Sequence, residues 1–405
     1  MPTKVIVVGC GIAGPVLALL LKQKSYEPVI YERGKRSPEA GLSLMLQLNG
    51  LRVLSLIPGL VEQLPGMAVD QAMHYSIVQS DERVLGQSGF PGALRREYGH
   101  DMFGVQRPAF LALLSDTALA QGIPIHFECQ VVGVEQEDGF ARVLLNNGET
   151  DTASLVVGCD GLHSNVRTSL FGKENASFTG LTQTGGITAS AFPDHKPTIF
   201  NFYGDGLHVI AYPISEKSYS WALTQREPET KETWRAMDAA AQDAVRNGPF
   251  SHLPFGVDCL MENAERITKF GLYDRPELKS WHKGRVVLIG DAAHPTSPHL
   301  GQGANQAFED VYHLIRLLLE HHPAPNSEPS AAELSTVFTE FEAERMERTA
   351  TLVRGARQAG EMRVVQGAEN ARARNDAVCE MWADEGAALQ KARDMLQTEW
   401  VGWGA

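Results

Sequence analysis

After Lys4 the chain runs Val5-Ile6-Val7-Val8, then Gly9-Cys10-Gly11-Ile12-Ala13-Gly14, then Pro15 and an apolar stretch ending at Leu21. Few folds accept that order. A signal peptide or short membrane anchor is one reading, because a basic residue precedes an apolar run. The run is marginal for spanning, glycines and a proline interrupt it, and Lys22-Gln23-Lys24 follows where a small-residue cleavage site would stand. The better reading is a buried parallel strand over Lys4–Val8, a glycine-rich turn, and a helix from about Gly11 to Lys24. Pro15 then falls in the first helical turn, where a missing N–H costs little.

In that frame each glycine has a task. Gly9 permits the tight turn, Gly11 lets backbone N–H groups approach a pyrophosphate, and Gly14 lets the helix pack on the strand. Pro28–Tyr31 reads as the next buried strand and ends in Glu32-Arg33, where a carboxylate can hold ribose hydroxyls and would repel a 2′-phosphate. The signature therefore predicts a dinucleotide site suited to the ADP half of FAD or NAD.

Two further segments repeat the pattern of strand, glycine and aspartate. Leu155–Gly158 leads into Cys159-Asp160-Gly161, and Arg285–Gly290 leads into Asp291-Ala292-Ala293-His294-Pro295 and Pro298-His299-Leu300-Gly301-Gln302-Gly303-Ala304. Alone, Asp160-Gly161 reads equally as a common turn. The last run is more specific: Asp291 at a strand end can hold a polyol, and Pro298–Gly303 opens a helix whose N–H groups can face an anionic ring edge.

Between these segments, Gln106–Gly122 reads as an amphipathic helix, and Ile125 onward as a meander turning at Asp138-Gly139 and Asn146-Asn147-Gly148. From Phe178 to Phe270, aromatics and glycines alternate as in an antiparallel sheet, with a charged helical stretch near 229–247. Gly303–His321 and Ala331 to about Gln366 are expected helices, followed by a polar tail bearing Trp382, Trp400 and Trp403. The fold class is thus α/β: a Rossmann-like domain assembled from 1–75, 100–177 and 271–320. An inserted antiparallel-sheet substrate domain (76–99 and 178–270) and a C-terminal helical segment (321–405) complete it.

In order and spacing, these segments resemble the FAD-dependent aromatic hydroxylases, the single-component class A flavoprotein monooxygenases related to 4-hydroxybenzoate, salicylate and kynurenine hydroxylases. The resemblance runs from Lys4 to about Arg348. It implies that Gly9, Gly11, Gly14 and Glu32, with Arg33 beside it, hold the ADP part of FAD. It matches Arg107, in Gln106-Arg107-Pro108, to an FAD-contacting arginine, and Asp160 to an aspartate tied to FAD and NAD(P)H. Asp291 matches the aspartate on the ribityl hydroxyls, and Pro298, Gly301, Gln302, Gly303 and Ala304 the loop beside the isoalloxazine. Leu48-Asn49-Gly50 departs from the relatives' Pro-Asn-Ala, which alters a wall near the flavin. In Phe178–Phe270 only Tyr212-Pro213-Ile214 matches well.

The implied reaction uses NADPH or NADH, bound transiently, and O₂ to place one oxygen atom on an electron-rich aromatic, indolic or alkene small molecule through a flavin C4a-hydroperoxide. Hydroxylation, epoxidation and rearrangement all remain open. Tyr203, His208 and Tyr212, on strands of the roof sheet, are the candidates to activate a phenol, against a bland reading of packing tyrosines and a solvent-facing His208. Arg95-Arg96 could meet an acidic substrate, though a solvated loop explains it as well. The alternatives are an FAD-dependent oxidase or dehydrogenase and a non-catalytic flavin-bound scaffold. A disulfide reductase would need a cysteine pair soon after Glu32 and a second nucleotide motif, and a halogenase a W-x-W-x-I-P segment. None of these occurs in the sequence.

His294, His299, His321 and His322 lack metal-ligand spacing and read as solvated or loop residues, so no metal is expected. No G-x-S-x-G is present. A net charge of −13 in 405 residues argues against a nucleic-acid partner, which needs a basic footprint. The five scattered cysteines and the absence of a second apolar run fit a soluble, cytoplasmic protein, in which the Asn175-Ala176-Ser177 sequon would stay silent.

Overall fold

The computed structural model describes residues 2–36, 41–189, 192, 195–229 and 236–396. Trp400 and Trp403, and residues 230–235 of the expected charged helix, lie outside them.

The chain begins β1 (Lys4–Val8), α1 (Ala13–Gln23), β2 (Glu27–Tyr31). It continues with β3 (Ser43–Leu46), α2 (Leu48–Leu54), β4 (Gly66–Val69), β5 (Gln71–Ser76), β6 (Arg83–Ser88), α3 (Phe90–Tyr98) and β7 (Met102–Gln106). Then follow α4 (Arg107–Ala120), β8 (Ile125–His126), β9 (Val131–Glu137), β10 (Phe140–Leu145), β11 (Thr150–Ala153), β12 (Leu155–Gly158) and α5 (Asn165–Phe171). The second half holds β13 (Ser177–Ala189), β14 (Thr198–Tyr203), β15 (Leu207–Ser215), β16 (Ser218–Arg226), α6 (Ala239–Arg246), α7 (Val257–Glu262) and β17 (Ala264–Asp274). It ends with β18 (His282–Lys283), β19 (Val286–Leu288), α8 (Gly303–His321), α9 (Ala331–Arg363), α10 (Ala368–Ala383) and α11 (Glu385–Leu396).

The apolar start is a strand and a helix. β1 is central in a sheet ordered β18-β19-β12-β1-β2-β8, and α1 is buried from Ala13 to Leu21. Such a strand, covered on both faces, reads as an unbroken apolar run. No helix among the described residues is long and apolar enough to cross a membrane.

The meander forms a small sheet, β11-β10-β9, and β3-β7-β4 forms another. The roof is a seven-stranded sheet, β17-β13-β16-β15-β14-β5-β6, to which 71–88 contributes two strands far from 178–270 in sequence. It is mixed rather than wholly antiparallel, because β14 pairs β5 in parallel. The 75/76 boundary expected between the two lobes falls at the end of β5.

Side-chain alternation divides the roof. Phe200, Phe202, Val209, Ala211, Trp221 and Leu223 pack on one face with Val257, Leu260 and Met261 of α7. The other face carries His74, Asn201, Tyr203, His208, Ser220 and Thr224, all at most 5% exposed. A buried polar sheet face signals a site, since polar groups leave water only where partners or ligands compensate.

The polar stretch after Gln366 holds two helices, α10 and α11. Ala371, Arg374, Asn375 and Val378 form the buried stripe of α10 at helical spacing. Arg374 donates to the carbonyls of Arg363 and Gly204, and Asn375 to Ser76 Oγ and Asp81. Because Arg374 and Asn375 in this stripe are polar, the amphipathic pattern was invisible in hydropathy.

Candidate active site

Three distant sequence segments meet because their strands are neighbours in one parallel sheet. Val8 pairs Gly158 across β1/β12, and Gly158 pairs Leu288 across β12/β19. The loops starting at Gly9, Cys159 and Gly290 therefore leave the same edge side by side, the carboxyl end where α/β sheets bind ligands.

Gly9 has φ +108°, and a Cβ there would lie 2.6 Å from the Cys159 carbonyl oxygen. A Cβ on Gly14 would fall far inside contact distance of the Gly9 carbonyl oxygen, so helix and turn touch backbone to backbone. Gly11 differs: a Cβ there would meet nothing within 4 Å. It faces open space beside the turn, a cradle of the kind a pyrophosphate occupies.

Glu32 locks that turn, accepting from the N–H of Cys10 at 2.7 Å and of Gly34 at 2.6 Å, while Arg33 is exposed next to it. Arg107 is the first residue of α4, and its charge acts on Asp291. Asp160 accepts from Ser164 Oγ at 2.6 Å and from the N–H groups of Asn165 and Val166 at 2.7 and 3.2 Å. It caps α5, and burial still pushes its carboxyl above the usual range. Its first task is to shape the loop against Gly9. Arg167, on that helix, donates to the carbonyls of Ala292 and Ala293 and joins the second loop to the third.

Asp291 is surface-accessible and yet surrounded by protein, so it stands at the bottom of a cleft. Burial raises its carboxyl against the opposing pull of His294 and Arg107. A Cβ on Gly303 would come within 4.0 Å of the Asp291 carboxylate, which brings the head of α8 beside it. Ahead of that helix, exposed Pro298 begins a short turn that Gly301 closes at φ +63°. Gln302 is 2% exposed and hydrogen-bonds Gln47, Asn49 and Gln306. Ala304 follows in the first turn of α8, whose free N–H groups and dipole favour a negative partner. Open cradle, accessible deep carboxylate and helix N-terminus suit, respectively, a pyrophosphate, a polyol and an anionic ring edge, and so fit FAD.

The departure at Leu48-Asn49-Gly50 has a structural counterpart. These residues start α2, where Asn49 donates to Gln302 Oε1 and Glu309 Oε1 at 2.9 and 2.6 Å. A Cβ on Gly50 would overlap Asn305 Oδ1, the atom that accepts from the N–H of Gln47.

The candidates for phenol activation split into two groups. Tyr203 and His208 pair directly across β14/β15, with ring centroids 4.8 Å apart. Tyr203 also reaches His74 Nδ1 at 3.3 Å. Tyr212 instead joins Ser43 at 2.7 Å, which donates to Ser220. Burial raises both tyrosines, Tyr212 to about 12, so at neutral pH they are hydrogen-bond donors rather than ready bases. His208 is 1% exposed rather than solvent-facing, and burial drives its pKa far down, so its imidazole is neutral. Arg95 lies in α3, not in a loop, and pairs Asp70 and Asp101 at 2.7 and 3.0 Å.

The histidines read as solvated are held by the protein. His294 bonds Asp310 at 2.6 Å, His321 bonds Glu340 at 2.7 Å, and His322 and His299 are 2% and 6% exposed. No group of three or more metal-ligating side chains occurs among the described residues.

What sequence reasoning missed is a buried ionic network. Glu309, Asp310 and Arg345 are each 0% exposed. Arg345 pairs both acids, and Arg348 reaches Glu309 at 2.7 Å. The available signal was an acidic pair interrupting the apolar stripe of α8, with arginines some 35 residues later.

The FAD binding domain family model matches residues 2–327. The 3-amino-4-hydroxybenzoate 2-monooxygenase of Streptomyces cremeus is 30% identical over 362 residues, 88% of this chain and 87% of that protein. The 6-hydroxynicotinate 3-monooxygenase of Pseudomonas fluorescens is 28% identical, over 87% of this chain and 89% of that one. Among solved structures, Klebsiella pneumoniae HpxO complexed with FAD and uric acid superposes with a TM-score of 0.81 at 21% identity, covering 97% of this chain and 96% of that one. The chain is an FAD-dependent enzyme of the monooxygenase type. It belongs to the FAD binding domain family.

Proposed function

We propose that this enzyme hydroxylates an electron-rich aromatic small molecule, consuming NAD(P)H and O₂. The balance is substrate C–H, O₂, NAD(P)H and a proton giving substrate C–OH, water and NAD(P)⁺. The reading is carried by one observation: the roof sheet turns a buried polar face, with Tyr203 and neutral His208, toward the elements that suit a flavin. His208 and His299 of the loop before α8 are close enough to act on each other electrostatically. FAD supplies the redox and oxygen-activating chemistry. The chain's own groups position it: Gly9, Gly11, Gly14 and Glu32 at the ADP, Arg107 and Asp160 nearby, Asp291 at the ribityl chain, and Pro298–Ala304 at the ring edge.

In the substrate space, Tyr203 and Tyr212 present neutral hydroxyls. His208 is the neutral acceptor for a phenolic proton, its unpartnered Nε2 leaving a site for that bond. Leu85 and Val378 beside Tyr203, and Met45, Val69 and Met102 beside Tyr212, exclude water, which keeps activated oxygen from ending as H₂O₂. We assign the FAD-binding role to 1–75, 100–177 and 271–320, substrate contacts to 76–99 and 178–270, and a covering role to 321–405. The five free cysteines fit a reducing compartment, the cytoplasm.

The test is direct. The purified protein should be yellow and release FAD on denaturation. NADPH and NADH oxidation is then followed against phenolic, indolic and alkene compounds with product analysis. A colourless protein that cannot be reconstituted with FAD would refute the assignment. Substrate-dependent NAD(P)H oxidation without oxygenated product would favour an oxidase.

A further inference from the structure

Arg363, the last residue of α9, lies deep in the protein and yet keeps accessible surface. Its guanidinium donates to the His299 carbonyl oxygen at 2.7 Å, and the Tyr203 phenol is near enough to favour its charge. Among the described residues no carboxylate pairs with it, in contrast to Arg345, which has two. Among the described residues, the titratable group that favours its charge is the Tyr203 phenol.

Three neutral imidazoles surround it. His74 from β5, His208 from β15 and His299 from the loop before α8 all feel its charge and are neutral. The Nε2 atoms of His74 and His208 have no hydrogen-bond partner. Arg374 of α10 lies over the Tyr203 ring at 5.4 Å. The nearby carboxylate, Asp205, accepts from the Gly367 N–H and acts on Arg374 rather than Arg363.

A buried cation with no counter-ion is a liability unless a ligand supplies the anion. The C-terminal end of α9 offsets only part of a charge. We infer that Arg363 and the imidazole of His74 form a subsite for a carboxylate on the aromatic substrate. The planar guanidinium fork suits that group, and the neutral His74 imidazole, whose Nδ1 meets the Tyr203 hydroxyl, adds an Nε2–H donor. Arg363 is thus a specificity-determining residue supplied by the C-terminal helix rather than by the roof sheet. Trp382 stacks on His74 with ring centroids 4.3 Å apart and fixes that side of the subsite. The inference rests on the monooxygenase reading above, since it places substrate against Tyr203 and His208.

The test uses the holoenzyme and two probe pairs, benzoate with benzamide and 4-hydroxybenzoate with 4-hydroxybenzamide. Binding is read by tryptophan fluorescence and by thermal shift, neither of which needs turnover. The acids should bind roughly 10- to 100-fold more tightly than the amides, the range of a charge-assisted hydrogen-bonded contact. Arg363→Gln should abolish the preference while Arg363→Lys keeps part of it, acid affinity falling far more than amide affinity in both. Without ligand, Arg363→Met should hold or raise Tm, because it removes an uncompensated charge.

Equal affinity for acid and amide, no binding of either acid, a preference that survives Arg363→Gln, or a Tm drop of several degrees in Arg363→Met would each overturn the subsite. FAD content and oxygenated product are read in parallel. A preparation that oxygenates substrates without acid preference sinks the subsite alone. Acid preference without oxygenation sinks the monooxygenase reading and leaves the subsite.

Discussion

Asp310 holds His294 Nε2 at 2.6 Å and, with the same oxygen, the N–H of Gly290 at 2.8 Å. One carboxylate in α8 thus closes the loop that presents Asp291 to the cleft. Its other oxygen takes Arg345 at 2.9 Å, so the loop is also tied to α9.

Breaking this network should be costly. Arg345→Met leaves Glu309 and Asp310 buried without their shared cation, and the loss of one partner from such a set costs about 3–5 kcal/mol. Urea unfolding of the variant should show it. Asp310→Asn should be milder in stability but should weaken FAD binding, because the Gly290–His294 loop loses its anchor. Fluorescence titration of the apoprotein with FAD measures that.

Three glycines of the site separate by the space a methyl group would find. Gly11→Ala meets nothing within 4 Å, so apoprotein stability should hold while FAD affinity falls about tenfold or more. Gly14→Ala and Gly50→Ala strike buried atoms and should cost about 1–3 kcal/mol, as overpacking does. Gly50→Ala is informative because Asn305 fills the volume a methyl group would take. Gly50→Ala combined with Asn305→Ala should relieve part of the loss in thermal unfolding.

Acid should destabilise the protein in two stages. Burial, helped by Arg363, lowers His74 and His299 from 6.5 to about 3 and drives His208 well down from its ordinary value. A lowered pKa in the folded state means the unfolded chain binds protons first. Stability is then full above about pH 6.5 and falls between there and about pH 3, by roughly 1.4 kcal/mol per pH unit per imidazole. Burial works to raise Asp310, but His294 and Arg345 hold it down to about 2. Its contribution is therefore present above about pH 4 and lost between pH 4 and 2. Unfolding curves from pH 8 to 3 on wild type and His208→Phe check the first stage. The variant should lose less stability on acidification.

Trp382 stacks on His74, lies 5.8 Å from Phe90, and sits where any side chain on Gly86 would go. Trp382→Ala should open the substrate side to water. A larger fraction of the NAD(P)H consumed should then appear as H₂O₂, measurable with a peroxide assay, while FAD content stays unchanged.

The first βαβ unit was legible because its determinants are local. An unbroken apolar strand, a glycine needing φ +108° and a carboxylate at the next strand end lie within 32 residues. The Asp160 and Asp291 loops were legible as motifs for the same reason. His208 and Tyr203 were found as candidates, but their burial was not foreseen, because strand alternation does not say which face is covered. Arg345, Arg363 and Arg374 were missed because a charged residue on a helix reads as solvent-facing.

The sequence by itself determined the parallel strands, the glycine turns and the acidic residues at strand ends, since backbone geometry there depends only on near neighbours. Tertiary structure decided that Gly9, Cys159 and Gly290 share one edge, by fixing the strand order β19-β12-β1. It also decided which charges are buried. Glu309 meets Arg345 across 36 residues, and Arg363 meets Tyr203 across 160. Only packing says whether such a charge finds a partner or is left for a ligand.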